Sequence, residues 1–255
     1  MDLITTGAAL VVGKKLLGKT MDLVSEDIAK IYAAGRDKII YVAVRKIKNV
    51  DDGLHTNLRV TRDVFLNGSF TDEAICAEYF GGILSSSRSQ DGKDDSGIYY
   101  VDLIKSLSAT QLLAHYMIYR SLNKLLLETS EKRDLNVGDQ NDLKKMTIYF
   151  SSIEFGKFLK SDSRVVTDLF AIYHKGLLSS FRAEGRKLED GKMVPYLEVV
   201  PSSLGVQLYA IANNEFEYWR EYPIKDLGEF KDIQNPKFFA FSIDILLEKA
   251  RLKDN

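Results

Sequence analysis

The chain has a single cysteine, Cys76, so no disulfide can form within it and a cysteine-based zinc site lacks partners. Its three histidines, His55, His115 and His174, are far apart and show no ligand spacing. There are only 4 prolines, which favours a folded chain, and the net charge is -1. A near-neutral total excludes electrostatic nucleic-acid binding by the protein as a whole, so any polyanion site must be a local concentration of Lys and Arg. Long apolar runs are missing too. The run from Leu3 to Val12 falls short of the roughly 20 residues that one helix needs to span a bilayer. Asp2 stands where a signal peptide carries basic residues, and the lysines follow the apolar run, so no cleavable signal peptide is read. The expected location is the cytoplasm, with peripheral or conditional association with the inner membrane.

Motifs of covalent catalysis are also lacking. No G-x-S-x-G elbow is present. Gly13 and the triplet Gly18-Lys19-Thr20 have the G-x-x-x-x-G-K-[ST] spacing, but no strand is read before them, so small residues on a packing or membrane face are the expected role. Asp94 and Asp95 sit beside Arg88 and Lys93, but no third carboxylate or histidine is placed near them, so a solvated, ion-paired loop is the expected role. Together these absences point to recognition rather than catalysis, with no cofactor and no metal.

What is present is an ordinary globular composition, 45% apolar and 28% charged over 255 residues. The expected fold class is mainly α: a helical body, a small β-hairpin in a winged-helix-like C-terminal half, and an N-terminal amphipathic helix. Three regions are expected, at 1–48, 49–130 and 131–255. The first reads as helix throughout, with Gly7, Gly13 and Gly18 weakening residues 3–24 and Ser25 as a cap before a second stretch. In the second region a helix runs to about Ser87, a polar loop covers 87–97, and the strongest helical repeat covers 108–129. The third opens on a charged linker at 131–145. It continues with a β-branched, aromatic stretch at 146–155 and a helix at about 162–176. A hairpin turning at Asp190-Gly191 and a helix capped by Ser202 complete it.

Residues 1–48 hold nine Lys and Arg against five Asp and Glu. An apolar, glycine-bearing run flanked by lysines can lie in a bilayer interface or pack closely with copies of itself. Gly7, Leu10, Val11, Gly13, Leu16 and Leu17 are therefore the candidate membrane or oligomer segment, and a docked core helix is the alternative. The helix end Ser85, Ser86, Ser87 and Arg88, with Lys93, supplies donors of the kind that hold a nucleotide phosphate. Around the hairpin, Lys175, Arg182, Arg186, Lys187 and Lys192 are the candidates for a nucleic-acid-binding or regulatory module. A metal-dependent hydrolase built on Glu78, Asp94 and Asp95 is the weakest reading. His115, alone on an apolar helix, is expected to be a satisfied structural group.

Residues 59–119 resemble the central region of abortive-infection alpha (Abi-alpha) type anti-phage proteins. The resemblance lies in Glu78, Tyr79, Phe80, Gly81 and Gly82, in the acidic pair Asp94-Asp95, and in Ser106-Leu107-Ser108 with Gln111-Leu112. The stretch from Pro201 to Gly205, ahead of Leu208, is similar to that family's closing element. The resemblance implies phage defence by abortive infection: an effector that stays harmless until infection. Its expected partners are further copies of itself, membrane lipids when active, and a nucleotide messenger made by a neighbouring nucleotidyltransferase.

Overall fold

A computed structural model describes residues 28–253 except Asp72, Arg133, residues 161–163, Glu189, Asp190, Lys192, Pro236 and Phe238, with backbone alone for 249–253. The candidate segment Gly7, Leu10, Val11, Gly13, Leu16 and Leu17, the cap at Ser25, Lys192 and the turn residue Asp190 lie outside the described residues. Among these residues the chain is mainly helical with two small antiparallel sheets.

The first helix, α1, covers residues 28–46. Ile28, Ile31, Gly35, Ile39 and Val42 recur at three- and four-residue spacing and make one stripe. Ile39 and Val42 are buried by the body, whereas Ile28 and Ile31 are exposed, so the inner face of α1 continues past the body it packs on. Gly35 abuts the Ser69 carbonyl, where a Cβ would overlap it. A turn at 49–53 leads through β1 (His55–Thr56) to α2 (Leu58–Gly68), whose N-cap Asn57 accepts from the Arg59 and Val60 amides.

The central element is α3 (Ala74–Ser86), with every residue from Ile75 to Ser85 buried. No amphipathic face exists because α1, α2 and the helices at 97–104, 109–128 and 203–212 surround it, and helices hydrophobic all round are the ones that sit in cores. β2 (Arg88–Ser89) pairs with β1. α4 (Gly97–Ile104) follows, and then α5 (Ala109–Glu128), opened by a reciprocal capping box between Ser108 and Gln111.

The charged stretch expected as a linker contains a short helix, α6 (Gln140–Lys145), capped by Asp139. Its caps and i,i+3 ion pair at Asp142 and Lys145 are local, so composition alone concealed it. β3 (Ile148–Ser151) ends where the Ser151 hydroxyl caps α7 (Ser152–Leu159), so the ambiguous 146–155 stretch is strand and then helix. α8 (Val165–His174), β4 (Leu178–Lys187) and β5 (Met193–Pro201) complete this unit. The sequence reads as a hairpin from Ala183, and β4 begins five residues earlier, at Leu178. Gly191, at φ 86, occupies the turn. The larger sheet runs β4-β5-β3-β6, with β6 at Phe239–Ala240.

α9 (Ser203–Ala212), capped by Ser202, carries the chain back into the first half. Gly82 of α3 lies against the Ala212 carbonyl at the end of α9, a spacing no Cβ would permit. α10 (Ile243–Lys253) closes the described chain.

Candidate functional site

Three helices end together. The C-terminal ends of α1, α3 and α9, with the turn at 49–53 and Leu54 after it, enclose a cleft of about 410 Å³. That is the size of a small-molecule site. Its walls are Ile47, Lys48 and Asn49 beyond α1, Asp52 and Leu54 from the turn, Ser85, Ser86 and Arg88 at the end of α3, and Asn214, Phe216 and Glu217 beyond α9.

Of the five residues expected to hold a phosphate, the structure brings Ser85, Ser86 and Arg88 to this cleft. The Ser85 hydroxyl donates back to the Gly82 carbonyl at 2.9 Å. Ser86 Oγ ties α3 to α9, at 2.9 Å from the Ile211 carbonyl and 3.1 Å from Asn214 Oδ1. Arg88 is ion-paired with Asp52, and its Nη2 lies 3.3 Å from the Leu54 carbonyl. A guanidinium carries five N–H donors, so the pair does not exhaust it. Ser87 and Lys93 do not line the cleft. The Ser87 hydroxyl is buried on the Ile83 carbonyl at 2.7 Å, and Lys93 is exposed beside Asp91.

Charge in the cleft balances: Lys48 and Arg88 face Asp52 and Glu217. The helix ends contribute carbonyl oxygens and the negative poles of their dipoles, which favour N–H donors over bare anions. The cleft therefore offers an acceptor-rich side, an aromatic wall at Phe216, and two cations. Phe216 is held edge-on by Tyr100 at 5.8 Å between centroids.

Behind the cleft, α1 is fastened by a buried ion cluster that sequence reading did not assemble. Glu78 is 1% exposed and takes both Arg45 and Lys46, with Lys46 Nζ 2.6 Å from Oε2. The remaining ammonium protons have the Glu78 carbonyl at 2.9 Å and the Ala212 carbonyl at 2.6 Å, and the Phe230 ring lies 4.3 Å away. Burial lowers the Lys46 pKa to about 8, against the opposing pull of Glu78. Asn214, at φ 59, donates to the Lys46 carbonyl at 2.9 Å. A cleft residue thus touches the last turn of α1 directly.

Glu78 is a structural ion-pair partner; Asp94 and Asp95 lie elsewhere, on the loop before α4. Asp95 is paired with Arg59 at 2.9 Å, and Asp94 accepts from the Ser96 amide at 3.0 Å. Among the described residues no group of three or more His, Cys, Asp or Glu side chains could hold a metal ion. His115 is fully buried between the Tyr79 hydroxyl at 2.5 Å and the Gly205 carbonyl at 3.1 Å. A carbonyl only accepts, so Nε2 carries the proton and Nδ1 receives the phenol. Burial holds its pKa down to about 3, so the ring is neutral.

Among the described residues no helix is long and apolar enough to cross a membrane. Comparisons with protein-family models, with curated proteins and with solved structures found no match to this chain.

Proposed function

We propose that the protein is a ligand-gated effector of the abortive-infection kind, in which the cleft at the end of α1 reads a nucleotide-type ligand and the segment ahead of α1 acts on a membrane. The observation that carries the proposal is the position of the cleft. Its wall at Ile47–Asn49 is the direct continuation of α1, and Asn214 bonds the last turn of that helix. A nucleotide combines the two chemistries the cleft offers. Base N–H groups suit the carbonyl-rich side, the ring suits Phe216, and the phosphate suits Arg88 and Lys48. The resemblance over residues 59–119 supplies the defence setting, and the lysine-flanked N-terminal segment supplies the membrane action.

The test is phage challenge of bacteria expressing the full chain, the chain without residues 2–24, and Arg88→Ala. The full chain should protect and the other two should not, at equal protein level. Protection by the truncated chain would remove the membrane role.

A second reading has its own support. The order α6-β3-α7-α8-β4-β5, with strands side by side as β4-β5-β3, supports a winged-helix-like reading of this half, a kind of unit that often binds duplex DNA. Against duplex binding, α8 contains no Lys or Arg and its outer residues include Val166, Phe170 and Tyr173. On the wing, Arg182 and Arg186 are paired with Glu198 and Asp244. A salt-dependent gel shift with duplex DNA separates the two readings.

A further inference from the structure

β4 is the outer strand of its sheet, and every residue from Arg182 to Lys187 is exposed. An open edge of this kind is a template for another strand. Its two faces differ in chemistry. On one, Arg182, Glu184 and Arg186 alternate and meet Glu198 and Tyr196 across the hairpin. On the other, Phe181, Ala183 and Gly185 alternate opposite Val199, Leu197 and Pro195. Phe181 joins this apolar face to α8, packing on Phe170 at 5.0 Å and Tyr173 at 6.0 Å. Phe170 is 49% exposed and Met193 56% exposed, so the face is bare as well as apolar.

We infer that this edge pairs with the same edge of a second copy, antiparallel and centred on Ala183. The sequence of β4 is complementary to itself in that register. Arg182 stands opposite Glu184 of the other copy, and Glu184 opposite its Arg182. On the apolar face Ala183 meets Ala183, and Phe181 stands opposite Gly185, beside the Met193 side chain that packs over that glycine. Arg186 falls opposite Ser180, so no like charges are directly opposed. A shift by two residues would place Arg182 opposite Arg182 or Glu184 opposite Glu184, and a shift by one would turn apolar faces to charged ones. The pairing has two-fold symmetry, as homodimer interfaces most often do. It also brings both copies' α8 helices and Phe170 side chains to one side of a continuous sheet. The charge pattern selects a second copy over an unrelated apolar partner, and the inference does not depend on what the cleft binds.

The experiment is sedimentation of the full chain at tens of micromolar, with Glu184→Arg and Arg182→Glu run separately and as an equimolar mixture. The wild type should run at twice the chain mass. Each variant places like charges opposite one another twice and should run at the single mass. The mixture should recover the double mass, because the paired arginines of one variant then face the paired glutamates of the other. Misfolding cannot produce that recovery, so it distinguishes lost pairing from a damaged hairpin. A wild type at the single mass, a Glu184→Arg variant at the double mass, or a mixture that does not recover overturns the inference.

Discussion

Lys46 Nζ lies 2.6 Å from the Ala212 carbonyl oxygen, joining the last turn of α1 to the last turn of α9 beside the buried carboxylate of Glu78. Two carbonyl hydrogen bonds and the ion pair with Glu78 thus fasten the end of α1 through one buried ammonium.

Glu78→Ala removes the only carboxylate shared by Arg45 and Lys46 in the described structure. Removing one side of a buried pair strands the other, at a cost of about 3–5 kcal/mol. Chemical denaturation should show that loss. The double variant Lys46→Met/Glu78→Leu, with neither charge buried, should be less destabilised than Glu78→Ala. A Glu78→Ala variant within about 0.5 kcal/mol of wild type would show that the pair contributes little.

Gly82→Ala should cost about 1–3 kcal/mol, because the added methyl overlaps the Ala212 backbone and α3 cannot withdraw from α9 without opening the core. A control is Gly53→Ala. There φ is 74 with nothing within 4 Å, so only backbone strain of about 1 kcal/mol applies. Thermal midpoints of the two variants should fall in that order.

Acid should weaken the fold through His115. Its folded pKa, about 3, lies below the unfolded value of 6.5. Between those values the unfolded state binds the extra proton, so stability is full above pH 6.5 and is lost as pH falls towards 3. The slope is at most about 1.4 kcal/mol per pH unit. His115→Gln cannot take up that proton, so denaturation measured from about pH 7 to about pH 4 should show a shallower fall for it.

Much of the helical scaffold was legible because its signals are local. The Ser108–Gln111 box, the Ser202 cap and the aliphatic repeat of α5 sit at fixed offsets, and a glycine marks the hairpin turn. The Ser85–Arg88 end of α3 was legible as a donor cluster, and Ser85, Ser86 and Arg88 do reach a cleft. The rest of that cleft was not legible. Asn214 lies 128 residues from Ser86, with Phe216 just beyond, and nothing in their own neighbourhood marks them before α9 folds back onto α3. The Arg45–Lys46–Glu78 cluster was hidden for the same reason. Arg45 and Lys46 stand 33 and 32 residues before Glu78, and nothing local marks the three as partners. α6 escaped because so short and polar a helix carries no apolar period, and only Leu143 of it is buried.

The chain's single tryptophan makes the cleft directly observable. Trp219 lies in the 3-10 turn Phe216–Glu221, whose first two residues line the cleft, and the Arg220 guanidinium sits 4.5 Å from its ring. The most direct test is Trp219 fluorescence of the full chain titrated with nucleoside monophosphates and cyclic dinucleotides of adenine and guanine, beside Phe216→Ala. The account predicts a saturable change with at least one of these nucleotides, abolished in Phe216→Ala at unchanged circular dichroism. Flat titrations across the whole set, or an equal response in Phe216→Ala, would contradict it.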